Sequence, residues 1–188
     1  MKFLYKWLGA TLSGAATMFV WGGISHMVLL KGIGFTHMSN EEQIVSTLRT
    51  SLPGDGISSR VSISEGTQQE KKRPLGKRGF ARAPTGMIVY HAAGDTPISP
   101  KKLSVQFLSD VLAAGIVSYL LSLSIATYWK RVGLAALLGA FGLFAISSIY
   151  WNWYGFSNAF FLAQGLDMIV GWSLAGAVIA KLIPPARL

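Results

Sequence analysis

The chain has 188 residues, of which 51% are hydrophobic and only 13% charged, with a net charge of +9 and a mean hydropathy of +0.43. A composition this apolar and this thinly charged excludes an ordinary soluble domain and reads as a membrane protein. The absence of cysteine excludes disulfides and thiolate metal sites.

Spanning a bilayer core takes about 20 apolar residues of helix. Four segments qualify: Trp7–Leu30, Leu103–Tyr128, Val132–Trp153 and Ser157–Ile183. Lys2 and Lys6 precede the first, which is too long for a signal h-region and lacks a convincing small-x-small cleavage site, so it is expected to be an uncleaved signal anchor. The chain then divides into an N-terminal tail and first span (1–30), a long loop (31–102) and three further spans (103–188). The fold class expected is all-α, a four-helix transmembrane bundle with a small extracytoplasmic α+β or disordered loop between helices one and two.

Within that loop "SNEE" resembles a capping box, with Ser39 as cap and Glu42 reaching back. It predicts a short helix over 40–52, stopped by "PGDG". "ISSRVSI" (57–63) and "GMIVYH" (86–91) predict two strands able to pair. The tract between them, 65–85, carries Lys71, Lys72, Arg73, Lys77, Arg78 and Arg82 among glycines and a proline, and cannot bury enough apolar surface to order itself. It is either a solvated loop or a contact for anionic lipid headgroups or an acidic partner domain. No nucleic-acid partner is expected.

Basic residues near the span ends set the orientation. Lys2 and Lys6 start the first span, Lys130 and Arg131 are expected to form the turn between the second and third, and Lys181 and Arg187 flank the end of the fourth. Placing these sets in the cytoplasm puts both termini inside and loop 31–102 outside the inner membrane.

That topology gives the polar residues a depth, at roughly 1.5 Å per residue. His26 lies roughly 6 Å from the outer end of the first span, Asp110 roughly 10 Å into the second, and Gln164 and Asp167 roughly 10 and 15 Å down the fourth. Asn152 sits at the outer end of the third. All strongly polar side chains of the expected spans fall in the outer half, leaving Ser, Thr and terminal aromatics for the inner half. A charge inside a span costs on the order of 2.5–3.5 kcal/mol on insertion scales, so such groups face protein or water. Two aspartates without a lysine or arginine beside them call for protonation, for His26 as counter-ion, or for a cation. Hydrogen-bonded packing, a proton or ion site, and a bound cofactor or lipid all remain open. His26, Asp110 and Asp167 would offer one His and two carboxylates to a divalent metal, though nothing in their spacing demands one. His26 with Gly22 one turn away would also admit a chlorin magnesium, but no cofactor is identified.

Small-x-x-x-small pairs (Ala10/Gly14, Ala135/Gly139, Gly171/Ala175, Gly176/Ala180) allow close helix approach, within a bundle or against a partner. "IYWNWYGF" (149–156) reads as an interfacial aromatic belt. No nucleophile elbow, phosphate-binding glycine loop, HExxH or CxxC is present, and no inverted repeat of the transporter kind. The expectation is therefore a non-catalytic accessory or scaffold subunit docking on other membrane subunits. The alternative is a proton, cation or small-ligand module, pigment and lipid included, built on the outer polar set.

"SNEEQIV…LPGDG", "YWNWY" and Asp167 followed by Trp172 and Gly176 together resemble a small family of bacterial four-helix membrane proteins. In these a loop with a short helix and a glycine turn follows the first span. The resemblance covers most of the chain and implies the fold and the membrane location; the family carries no assigned activity. Its members tend to have Trp near the end of the first helix, where this chain has Ser25–His26, and the basic tract is particular to this chain.

Overall fold

The structure, a computed structural model, describes residues 2–52, 56–59, 87–91, 96 and 98–186. The chain divides into two units, Met1–Thr36 with Pro97–Leu188, and His37–Thr96.

The first unit holds four helices long and apolar enough to cross a membrane. Helix α1 runs Lys2–Ile24 and continues as one π turn, Ser25–Leu29. The other three are α3 (Pro100–Leu123), α4 (Tyr128–Tyr154) and α5 (Asn158–Leu182); α4 contains a π segment, Leu143–Ser147. Their ends follow local chemistry. Ser99 accepts a hydrogen bond from the Lys102 amide and Pro100 occupies the first turn of α3, where a missing N–H costs nothing. Ser157 caps α5 in the same way, through the Phe160 amide at 3.1 Å. Gly155, at φ 76°, closes α4 in the left-handed conformation that glycine adopts without steric penalty.

Two boundaries differ from the sequence expectation. The second spanning helix ends at Leu123, because Ser124 and Thr127 take extended backbone conformations. The third begins at Tyr128, so Lys130 and Arg131 belong to its first turn and the connecting turn is 124–127.

The helices pack in the order α3, α1, α5, α4, with α3 and α4 scarcely touching. Lipid supplies no hydrophobic drive between helices, so close contact relies on small residues. A Cβ on Gly14 would lie 2.6 Å from Ile179 Cδ1 and 3.4 Å from Ala114 Cβ, which places α1, α3 and α5 together at that level. On Gly139 it would sit 2.5 Å from the Met168 carbonyl oxygen, so the backbones of α4 and α5 meet there. Gly176 abuts Ala135, and Gly171 lies under the Trp21 indole. Ala10, Ala135 and Ala175 are fully buried. The small-residue pairs picked out in the sequence are thus taken up by contacts within the chain.

The second unit holds α2 (Glu41–Ser51) and an antiparallel strand pair, β1 (Gly56–Ser59) and β2 (Met87–Tyr90), in the register Gly56↔Tyr90 to Ser59↔Met87. The capping box does not form. Asn40, at φ 59°, occupies the N-cap position without a side-chain bond, and its carbonyl receives the Gln43 and Ile44 amides. The basic residues Lys71, Lys72, Arg73, Lys77, Arg78 and Arg82, and strand positions 60–63 and 86, lie outside the described residues.

Candidate intramembrane polar site

The polar site is assembled where the last turns of α1 meet the first half of α5. Trp21 on α1 reaches across and donates its indole Nε1–H to the main-chain carbonyl of Asp167, at 3.1 Å. The indole fits because Gly171 lies beneath it: a Cβ there would be 2.7 Å from Trp21 Cδ1. One turn after Trp21 the helix widens. The Leu30 amide bonds to the Ser25 carbonyl at 2.7 Å, the i to i+5 pattern of a π turn. Such widened turns recur at functional positions in helices.

His26 lies in that turn, and its Nε2 stands 3.4 Å from Asp167 Oδ2. The imidazole is 59% exposed and the carboxyl 15%. Asp167 Oδ1 is buried and has no hydrogen-bond partner; the Ser25 hydroxyl, fully buried in the same turn of α1, also has none. A buried polar atom left unpaired costs about 1–3 kcal/mol, and more when charged. Of the three arrangements open for the intramembrane aspartates, the geometry at Asp167 is that with His26 as neighbour.

Asp110 is placed elsewhere. It is 8% exposed, and its Oδ1 accepts from Gln106 Nε2 at 2.9 Å, one turn back on α3. Gln106 was not singled out in the sequence, although its i, i+4 spacing from Asp110 was visible there. Asn152 is exposed and Gln164 half-buried, and neither side chain hydrogen-bonds to another described residue. Among the described residues no three His, Asp or Glu side chains group closely enough to hold a metal ion. The His26–Asp110–Asp167 set proposed as a weak metal candidate is therefore not assembled; only His26 and Asp167 come together.

One buried charge corrects the sequence reading. Arg131, expected in an aqueous turn, is 1% exposed inside α4. Its Nη1 donates to the carbonyls of Ala180 (3.1 Å) and Ile183 (2.9 Å) at the C-terminus of α5. A helix end leaves four carbonyls without intrahelical partners and carries partial negative charge, so a guanidinium there both satisfies and offsets it. Nε and Nη2 of Arg131 remain unpaired. The half of the spans remote from the loop therefore contains a strongly polar side chain, contrary to expectation. A nearby backbone bond, Ala186 N to Ser124 O at 3.0 Å, ties the residues after α5 to the α3–α4 turn.

At the opposite end of α4 the aromatic residues form two groups of ring contacts with the start of α5. Trp151 stacks on Phe161 at 5.1 Å and donates to Asn158 Oδ1, while Phe156 contacts Phe160 and Tyr150. Phe35, beyond α1, meets Phe160 edge-on, and Gly34 at φ 83° lies against the Phe160 backbone. This fastens the exit of α1 to the start of α5, on the same side as the His26–Asp167 pair.

A His–Asp pair of this kind can share a proton. No protein-family model, curated protein or solved structure matches this chain.

Proposed function

We propose that the chain is a non-catalytic multi-pass protein of the inner membrane, serving as an accessory or scaffold subunit that docks on a membrane complex through the uncovered side of α1. The observation that carries this reading is a set of vacant small-residue positions. Gly9, Ala16 and Gly23 are spaced by seven residues, two helical turns, and so share one side of α1. Outside the helix itself nothing lies within 4 Å of where a Cβ on Gly9 or Gly23 would be, and Ala16 is exposed. Gly14, Gly139, Gly171 and Gly176 are by contrast each filled by a neighbouring helix.

Grooves flank the open side. One, of about 450 Å³, runs between α1 and α3 over Thr11, Leu12 and Gly115; the other, of about 400 Å³, is lined by Ala16, Val20, Ile24 and Leu174. In a bilayer, where small residues mark helix approach, this relief suits another transmembrane helix. Lys2, Lys6, Lys130, Lys181 and Arg187 support an orientation with both termini cytoplasmic and loop 31–102 outside. There its basic tract would meet anionic headgroups or an acidic partner domain.

The test is co-purification from native membranes in mild detergent. A subunit leaves the membrane in a complex of fixed stoichiometry, and Gly9→Leu with Gly23→Leu releases it while the chain stays folded. A chain that runs alone as a monomer, or a complex indifferent to both substitutions, contradicts the proposal.

A further inference from the structure

We infer that His26 and Asp167 form a proton-binding dyad set in the membrane, loaded from the aqueous phase on the side where α1 ends and α5 begins. This rests on different residues from the docking reading. Three observations converge on it. The His26 Nε2 to Asp167 Oδ2 separation is 3.4 Å, close enough to pass a proton with a small side-chain adjustment. The two groups differ in exposure, the imidazole at 59% and the carboxyl at 15%, so His26 is the outer member of the pair and Asp167 the inner one. Asp167 Oδ1 is buried without a hydrogen-bond partner, so the carboxyl has an atom that no other group of the chain engages.

The protonation states can be written with their charges. The unloaded dyad is an Asp167 carboxylate beside a neutral imidazole, net charge −1. One proton taken from water gives a net charge of zero. It rests on His26 Nε2, as an imidazolium–carboxylate pair, or on Asp167 Oδ2, as two neutral groups. Either loaded form suits hydrocarbon better than the unloaded one, because it carries no net charge.

The other ionisable groups do not compete for the role. Among the described residues no Lys or Arg nitrogen lies within 4.0 Å of Asp167. On α3, Asp110 is engaged by Gln106, and Lys101 and Lys102 stand in its exposed first turn. On α4, Tyr150 and Tyr154 lie against each other, with rings 5.7 Å apart. On α5 the remaining charge, Lys181, is in the last turn, and Lys31 follows the π turn of α1 in an exposed position. Among the described residues no third acidic or histidine side chain joins the pair to complete a metal site, and the ligand inferred is the proton.

Infrared difference spectroscopy of the full-length protein in lipid nanodiscs, stepped through pH, tests this directly. The expected result is a carboxylic C=O band that grows as pH falls, vanishes in Asp167→Asn, persists in Asp110→Asn, and moves its midpoint in His26→Gln. A band unaffected by Asp167→Asn overturns the proposal. Should Asp167→Asn fail to fold, His26→Gln decides, since its site is on the exposed side. A midpoint that His26→Gln leaves in place means that the two groups do not share a proton, and the dyad is refuted.

Discussion

Adding one methyl group at Gly139 should loosen the contact between α4 and α5, while the same change six residues earlier should not. A Cβ on Gly139 would stand 2.5 Å from the Met168 carbonyl oxygen, 2.9 Å from its carbon and 3.2 Å from Ile169 Cα. All three are backbone atoms, so no rotamer can relieve the clash, and the helices must separate until ordinary contact is restored. Overpacking of this kind costs typically 1–3 kcal/mol, and here the rigid partner argues for the upper end. Replacing glycine by alanine within a helix returns about 1 kcal/mol. The net expected for Gly139→Ala is a loss of about 2 kcal/mol, more than tenfold in the unfolding equilibrium. At Gly133 nothing lies within 4 Å, so Gly133→Ala keeps only the propensity gain and should be neutral or slightly stabilising. Unfolding of both variants in mixed micelles by titration with denaturing detergent gives the comparison. Equal stabilities, or Gly133→Ala as the weaker protein, would refute the packing between α4 and α5.

Trp21→Phe removes the indole bond to the Asp167 carbonyl while keeping an aromatic ring over Gly171; a loss of about 0.5–1.5 kcal/mol in the same titration is expected. No loss would show that the indole does not hold α1 to α5. Arg131→Met keeps the length of the side chain but removes the donors to Ala180 and Ile183, so amide exchange in the last turn of α5 should quicken by roughly tenfold. Unchanged exchange at the Ile183 amide, which bonds to the Ile179 carbonyl, would mean that Arg131 does not hold the end of α5. Gly34→Ala meets both a φ of 83° and the Phe160 backbone 2.8 Å away. The left-handed conformation alone costs roughly 1–2 kcal/mol for a residue with a Cβ, and release of the segment after α1 should appear as increased proteolysis there. Proteolysis equal to that of the parent chain would contradict the contact.

The four spans were legible because a run of some twenty apolar residues with few charges has one cheap conformation in lipid. Their ends were less so. Lys130 and Arg131 read as a polar turn, yet a guanidinium can enter the packing when the carbonyls of another helix await it. That partner, the end of α5, is 49 and 52 residues away in sequence. The π turn at Ser25–Leu29 leaves no mark in the local pattern, although it is where His26 is set. Shared depth did connect His26 with Asp167 in the sequence. It also suggested Asp110 as their companion, and there direction around the helix matters more than depth: Asp110 bonds to Gln106 on its own helix. The small residues were recognised as sites of close approach, but sequence alone could not say which were filled from within. Gly14 and Gly176 are filled by this chain's own helices, whereas Gly9 and Gly23 face open space.

The placement of the dyad, the orientation and the docking side all rest on α3 crossing the membrane between the long loop and the α3–α4 turn. Because the chain has no cysteine, single cysteines report sidedness without background. Thr67→Cys in the loop and Ile125→Cys in the turn, treated with a membrane-impermeant maleimide on intact cells, give the most direct answer. The first should label at once and the second only after permeabilisation; labelling of both from one side would contradict the four-span arrangement.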